Sequence, residues 1–192
     1  MKKLLLIRHG MPDEGNLSRP HDPPLNEAGH QQAARLAEKL RLEPIDRIVS
    51  SPQLRSTNTA APLATRTGLP LEIVDSLAEI DLNTDRYRSV ETIRREYPDR
   101  WAEFQQSPAR FFGGDDESFQ RTVLAAMNGL LIEQTSECIA VFTHGTPIRT
   151  VVAEALGLSE RAKLVIGYCS VTRVFGTSVE TLRVESLNET LI

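Results

Sequence analysis

Cysteine is scarce in this 192-residue chain, limited to Cys138 and Cys169. The two stand far apart in sequence and lack metal-ligand spacing, which excludes a disulfide framework and a zinc cluster and points to buried thiols in a reducing compartment. Positive charge is not in surplus either. Twenty-two Lys and Arg face twenty-six Asp and Glu, for a net charge of −4, and no basic stripe argues for a nucleic-acid partner. A pocket needs only a few well-placed cations, so an anionic small molecule stays open as a ligand. Long hydrophobic runs are missing as well. Leu4-Leu5-Leu6-Ile7 stops at Arg8, too short for the core of a signal peptide or for a bilayer span. We read it as a buried first strand of a cytoplasmic protein with no membrane partner. Internal repeats and low-complexity segments are also lacking.

What remains is an ordinary globular composition, 40% hydrophobic and 25% charged, with length enough for one domain spanning residues 1–192. Asn26 caps an expected helix with Ala33, Leu36, Ala37 and Leu40 on one face, closed by Pro44. Residues 46–50 read as a second strand, and Pro52 as the first position of a helix running to about Thr65. Residues 71–74 make a short third strand, and 138–142 a fourth. A helix is expected from about Asp116 to Gln134, with Phe119, Val123, Met127, Leu130 and Leu131 on one face, and another from Gly145 through Ala155. Closing strands are expected at 163–168, 172–176 and 181–185. Between residues 83 and 114 the texture changes to many charges and six aromatic residues, Tyr87 through Phe112. This reads as a cap-like insertion outside the sheet, with one helix from about Ser89 to Gln106. Alternating strands and helices imply an α/β fold, a three-layer α/β/α sandwich around a mostly parallel sheet of about six strands. In such sheets the ligand site lies beyond the carboxyl ends of the strands.

Those strand ends carry Arg8-His9-Gly10, then Ser50-Ser51-Pro52-Gln53-Leu54-Arg55, then Glu79, then Thr143-His144-Gly145. Taken singly, a histidine at a strand end is more often structural, and a lone arginine or glutamate is more often a solvated charge. Four accidents at one sheet edge are a poorer explanation than one site. Five ordered segments carry a resemblance: Leu6 to Gly10, Asp22 to Ala33, Ser50 to Ala60, Gly113-Gly114 with Glu117-Ser118, and Val141 to Gly145. By these the chain resembles the histidine phosphatase superfamily, the phosphoglycerate mutase-like proteins, in its smaller phosphatase branch.

The resemblance implies His9 as nucleophile, Arg8 and Arg55 as phosphate ligands, His144 as the second histidine, and Glu79 as general acid and base. Charge in phosphoryl transfer spreads over the equatorial oxygens, so positioning and electrostatics suffice without a metal or cofactor. The two arginines offer planar forks of donors. His144 adds another donor, and Asn16 or the Gly145 N–H a further one. Both arginines favour neutral His9, whose other ring nitrogen must donate to a fixed acceptor, expected in a backbone carbonyl beyond Gly10. The expected activity is metal-independent hydrolysis of a small phosphorylated metabolite through phospho-His9. Departures from the mutase pattern favour hydrolysis. Met11-Pro12 follows the first motif, Asn16 sits one residue late for that pattern's asparagine, and residues 81–87 replace a Trp-Glu-Gly run. The alternatives are a phosphoglycerate mutase, a catalytically silent phospho-ligand binder, or a phosphohistidine protein phosphatase. His21 and His30 read as solvated residues, and Arg86, Arg88, Arg94 and Arg95 as either a basic rim or a mixed surface. A homodimer is the default assembly.

Overall fold

The computed structural model describes residues 1–159 and 163–190. Its six strands are β1 (Lys2–Arg8), β2 (Arg47–Ser50), β3 (Leu71–Ile73), β4 (Cys138–Thr143), β5 (Val171–Gly176) and β6 (Arg183–Glu189). They form one sheet in the order β3-β2-β4-β1-β5-β6. The first four are mutually parallel, and β5 and β6 are added antiparallel.

β1 is apolar without interruption from Leu4 to Ile7 because it lies at the centre of the sheet and is covered on both faces. Leu4, Leu5, Leu6 and Ile7 are all 0% exposed. Alternation then sorts them. Leu4 and Leu6 join Val49, Ile139 and Val141 under α6 (Asp116–Ile132) and α7 (Gly145–Leu156), meeting Val123, Met127, Ile148 and Val151. Leu5 and Ile7 join Ile48, Ala140 and Phe142 under α1 (Glu27–Leu40) and α2 (Leu54–Thr67), meeting Leu36, Leu40 and Leu63. Each such side chain taken from water is worth about 1.5–3 kcal/mol. The two cores on opposite faces make the three layers.

Local chemistry sets most helix ends. Asn26 caps α1 as expected, its side chain accepting from the Gly29 N–H at 2.8 Å. Asp115 caps α6 through the Ser118 N–H. α2 starts at Leu54, two residues after the expected Pro52, because Pro52 lies in a bend and Gln53 is the cap residue. It runs to Thr67 and stops at Gly68, whose φ of 72° suits glycine.

Two expectations are corrected. The single helix from Ser89 to Gln106 is instead α3 (Val90–Glu96), a 3₁₀ turn at Pro98–Arg100, and α4 (Trp101–Gln106), followed by α5 (Pro108–Phe111). Pro98 lacks an N–H and forces Tyr97 out of the helical region, to φ −129° and ψ 54°. The strand expected at 163–168 is also absent. Its backbone bonds to side chains and not to a ladder: the Leu164 carbonyl accepts from Arg149, the Ile166 carbonyl from Arg8, and the Gly167 N–H donates to Asn188. The last strand begins at Arg183, after a 3₁₀ turn that holds Thr181.

Among the described residues no helix is long and apolar enough to cross a membrane.

Candidate active site

β1 and β4 are neighbours, yet the chain leaves them toward opposite faces, to α1 and to α7. Adjacent strands whose connections diverge open a crevice at their carboxyl ends. His9 directly follows β1 and His144 directly follows β4, so the fold alone sets their rings 5.0 Å apart. The His9 N–H donates to the Thr143 carbonyl at 3.0 Å, fastening one strand exit to the other.

Behind His9 the chain is packed backbone to backbone. A Cβ on Gly29 would lie 2.1 Å from the Met11 carbonyl oxygen, and one on Gly10 would lie 2.9 Å from the Gly29 carbonyl oxygen. Both positions therefore exclude any larger residue. The Gly10 N–H donates to Thr59 Oγ1 at 2.9 Å, and that hydroxyl donates to the Arg55 carbonyl at 2.6 Å. The turn holding His9 is thereby tied to the helix holding Arg55.

His9 Nδ1 lies 2.7 Å from the Gly10 carbonyl oxygen, which only an Nδ1–H can satisfy. Nε2 is left with its lone pair. The expected backbone acceptor exists, and it is Gly10 itself. Burial first, then Arg55 and Arg8, hold His9 well below the ordinary imidazole pKa of 6.5, so the ring is neutral near pH 7. His144 is lowered by the same influences, with His9 adding to them. Ser51 Oγ lies 2.6 Å from His144 Nε2. With the hydroxyl donating there, the proton of the neutral ring sits on Nδ1, which is buried and has no partner among the described residues.

The arginines are gripped from behind and free in front. Arg8 Nη1 donates to the Ile166 carbonyl at 2.5 Å, and its guanidinium lies 4.0 Å over the Tyr168 ring. Arg55 Nη2 donates to Asp81 at 2.8 Å, and its guanidinium lies 4.6 Å from the centre of the Tyr87 ring. Arg8 Nε and Arg55 Nε and Nη1 are buried without a hydrogen-bond acceptor. Buried donors are seldom left unmade. Four such N–H donors beside one neutral imidazole form a cradle for an oxyanion.

Glu79 stands at the mouth. Its N–H donates to Gln53 Oε1 at 2.7 Å, while its carboxylate accepts from the Ile80 N–H at 2.9 Å and the Thr146 N–H at 3.1 Å. Those two N–H groups favour the charged form. Burial and the nearby Asp81 carboxylate outweigh them and raise its pKa above 4.5. The arrangement can hold a tetrahedral anion, attack it with an imidazole lone pair and supply a proton from a carboxyl. Among the described residues no group of three or more His, Cys, Asp or Glu is placed to hold a metal.

The cleft enclosed by Arg8, His9, Glu79, Gly145 and Arg149, with Tyr87, Arg88, Phe104 and Phe112 across from them, is about 50 Å³. Arg55 and His144 lie behind it. A larger hollow of about 340 Å³ beside α7, around Gln120 and Glu154, is lined by no cation or histidine among the described residues.

Arg8, His9, Arg55, Glu79, His144 and Gly145 are thus brought together as the sequence suggested. Asn16 is not. Its amide donates to Asp13 at 3.0 Å, its carbonyl accepts from Ser18 and from the Arg19 N–H, and it does not border the cleft. A shift of one residue leaves that side chain stabilising its own turn. His21 and His30 are exposed. Of the four arginines in 86–95 only Arg88 reaches the cleft. Arg86 pairs with Glu96 on the surface, and Arg94 and Arg95 are exposed. Cys169 is a buried thiol pushed up to about 12, packed behind Gly10. Sequence reasoning missed the supports: Ser51, Gln53, Asp81, Tyr87, Tyr168 and Arg149. Arg149 alone left a signal, one helical turn beyond Gly145.

The sequence pattern of the histidine phosphatase superfamily (branch 1) matches residues 4–190. Phosphoserine phosphatase 1 of Hydrogenobacter thermophilus is 30% identical over 165 residues, 82% of this chain and 78% of that protein. A Citrobacter koseri protein named "Probable phosphoglycerate mutase GpmB" is 29% identical over 183 residues, 91% of this chain and 85% of its own. Mycobacterial glucosyl-3-phosphoglycerate phosphatase has the same fold, with a TM-score of 0.82 at 23% identity over 99% of this chain and 100% of that one. The chain belongs to the histidine phosphatase superfamily, branch 1, among the phosphatases of the phosphoglycerate mutase-like fold.

Proposed function

We propose that this protein hydrolyses small phosphate monoesters through a covalent intermediate on His9. The observation that carries the reading is a set of buried donors without a hydrogen-bond acceptor among the described residues, Arg8 Nε, Arg55 Nε and Nη1, and His144 Nδ1, around a histidine whose Nε2 is free. His9 Nε2 attacks phosphorus and forms a P–N bond as the ester P–O bond breaks. Glu79 gives its proton to the departing oxygen. Water then attacks phosphorus, Glu79 takes a proton from it, and the P–N bond breaks to release phosphate and neutral His9. The donors stabilise the equatorial oxygens in both steps, so the chemistry needs no metal.

Substrate size follows from the cleft. One water requires roughly 10–15 Å³, so about 50 Å³ holds a phosphoryl group and a few further atoms. Residues 83–114 act as a cap that closes this space and disfavours a phosphoprotein. The phosphatase relatives named above act on phosphoserine and glucosyl-3-phosphoglycerate, which supports a small metabolite.

The likeness to a phosphoglycerate mutase keeps one competing reaction in view. A screen of sugar, nucleotide, amino-acid and glycolytic phosphates in the presence of EDTA tests the reading. Phosphate release that survives chelation and falls by about 10⁴-fold in His9→Ala is expected. Isomerisation of 3-phosphoglycerate without net hydrolysis makes the chain a mutase. Full activity in His9→Ala removes the covalent mechanism.

A further inference from the structure

Gln53 stands where a helix cap is expected, yet its side chain does not cap. It immediately precedes α2 and makes no side-chain bond to the first turn. Asp22 takes over part of that duty, its Oδ1 accepting from the Leu54 N–H at 2.9 Å. Gln53 is only 2% exposed and does not border the cleft, so its amide must be satisfied inside the protein. Oε1 accepts from the Glu79 N–H at 2.7 Å, and Nε2 donates to Asp81 Oδ1 at 3.1 Å. An N–H needs an acceptor and a carboxylate needs a donor, so these partners allow one orientation of the amide.

Both partners lie in the stretch that carries the proton donor. β3 ends at Ile73 and a 3₁₀ turn at Asp75–Leu77 follows, so no sheet ladder reaches Glu79. Its carboxyl group is held by the Ile80 and Thr146 N–H groups, and the main chain beneath it is held by Gln53, 26 positions away. Asp81 Oδ1 also accepts from Arg55 Nη2 at 2.8 Å. One buried amide thus spans from the Glu79 main chain to the carboxylate that grips a phosphate arginine. That carboxylate is also, after burial, what raises the pKa of Glu79.

We propose that Gln53 is a positioning residue for the general acid: its side-chain amide locks Glu79 in register with Arg55, within reach of the leaving oxygen. This rests on Glu79 as proton donor in the reading above.

The test is Gln53→Met, which keeps length and bulk and removes both bonds. Two esters of similar size separate the roles. The phenolate of p-nitrophenyl phosphate leaves without a proton, whereas the alkoxide of benzyl phosphate needs one. The ratio kcat/KM reads phosphoryl transfer to His9 up to loss of the alcohol. It should fall about 30-fold for benzyl phosphate and about 3-fold for p-nitrophenyl phosphate, because a small displacement of a proton donor costs much of its effect. Inhibition by inorganic phosphate should weaken by no more than about 3-fold, since Arg55 keeps its own bond to Asp81. Gln53→Asn carries the same amide on a stem too short to meet both partners. It should show the same ordering, and it decides the matter where Gln53→Met does not fold.

Equal losses on the two esters, or no loss on either, overturn the proposal. So does a loss of phosphate inhibition as large as the loss on benzyl phosphate, which makes Gln53 a support of the cradle and not of the acid. The reading beneath fails differently, with Glu79→Gln losing both esters equally. A graded loss in Glu79→Gln beside an even one in Gln53→Met strikes the proposal alone.

Discussion

Arg55 and His144 at the strand ends are both 0% exposed, and each is held by a named partner from another element, Asp81 for one and Ser51 for the other. Residues 83–114 contrast with this at every level. Their helices are only four to seven residues long, below the length at which an isolated helix persists. Many of their charges pair on the surface, as Arg100 does with Glu103, where such pairs are worth about 0–1 kcal/mol. Cohesion comes from one aromatic cluster, in which Phe111 meets Tyr97, Phe104 and Phe112 edge-on. The buried donors stand at the strand ends, and the wall of the cleft facing them, Tyr87, Arg88, Phe104 and Phe112, comes from a segment of short helices. The difference is one of cross-linking: the cradle is tied to several elements at once, the cap mainly to itself.

The largest break in this comparison comes from Arg55→Ala. It removes two of the four cradle donors and strands the buried Asp81 carboxylate. Loss of about 10²–10³-fold in kcat is expected, with about 3–5 kcal/mol of stability. Activity assays and urea unfolding read the two effects, and a variant as stable as the parent would show that the Asp81 pair is not a support.

A medium effect is a matter of pH. Attack needs neutral His9, so activity rises as pH climbs through a pKa held below 6.5. Protonation of the leaving group needs neutral Glu79, so activity falls as pH passes a pKa raised above 4.5. The kcat profile should be a bell, with His9 setting its acid limb and Glu79 its alkaline limb. Glu79→Gln should erase its alkaline limb and slow esters with poor leaving groups most. Stability in this range follows the histidines, opposed by Glu79, whose raised pKa takes stability away as pH climbs above 4.5. Both histidines have depressed pKa values, so their contribution is full above about 6.5 and is lost as pH falls below it, when the unfolded chain binds the protons first. In Glu79→Gln, where the opposing group is gone, the urea midpoint at pH 7.5 should exceed that at pH 5. A flat profile through this range removes both assignments.

The smallest effect belongs to the cap. Phe111→Ala opens the aromatic cluster at a cost up to about 3 kcal/mol, confined to residues 83–114. Hydrogen exchange should quicken in α3 to α5 with little change in β1 and β4, and KM should rise more than kcat falls. Equal loosening of the sheet would mean that cap and cradle are one cooperative unit.

Much of this architecture is legible in the residues. The uninterrupted run Leu4–Ile7 marks a central strand, Asn26 marks a helix start, and a histidine, arginine or glutamate beyond each of the four parallel strands marks the candidate edge. Errors came where side chains override local pattern. Pro98 splits a segment whose charge texture looked continuous, and residues 163–168 look like a strand because nothing local shows that two arginines take their carbonyls. Asn16 fits a sequence pattern in type but not in place, and its own turn absorbs it.

By itself the sequence determined which groups are present and that they fall at strand ends, since periodicity and strand order are local properties. The divergence of α1 and α7 from adjacent strands put His9 beside His144, and only tertiary structure could decide that. The same holds for the tautomers set by Gly10 and Ser51 and for Asp81 and the tyrosines behind the arginines. Protonation and charge balance depend on neighbours distant in the chain, because desolvation and Coulomb forces act through space and not along the backbone.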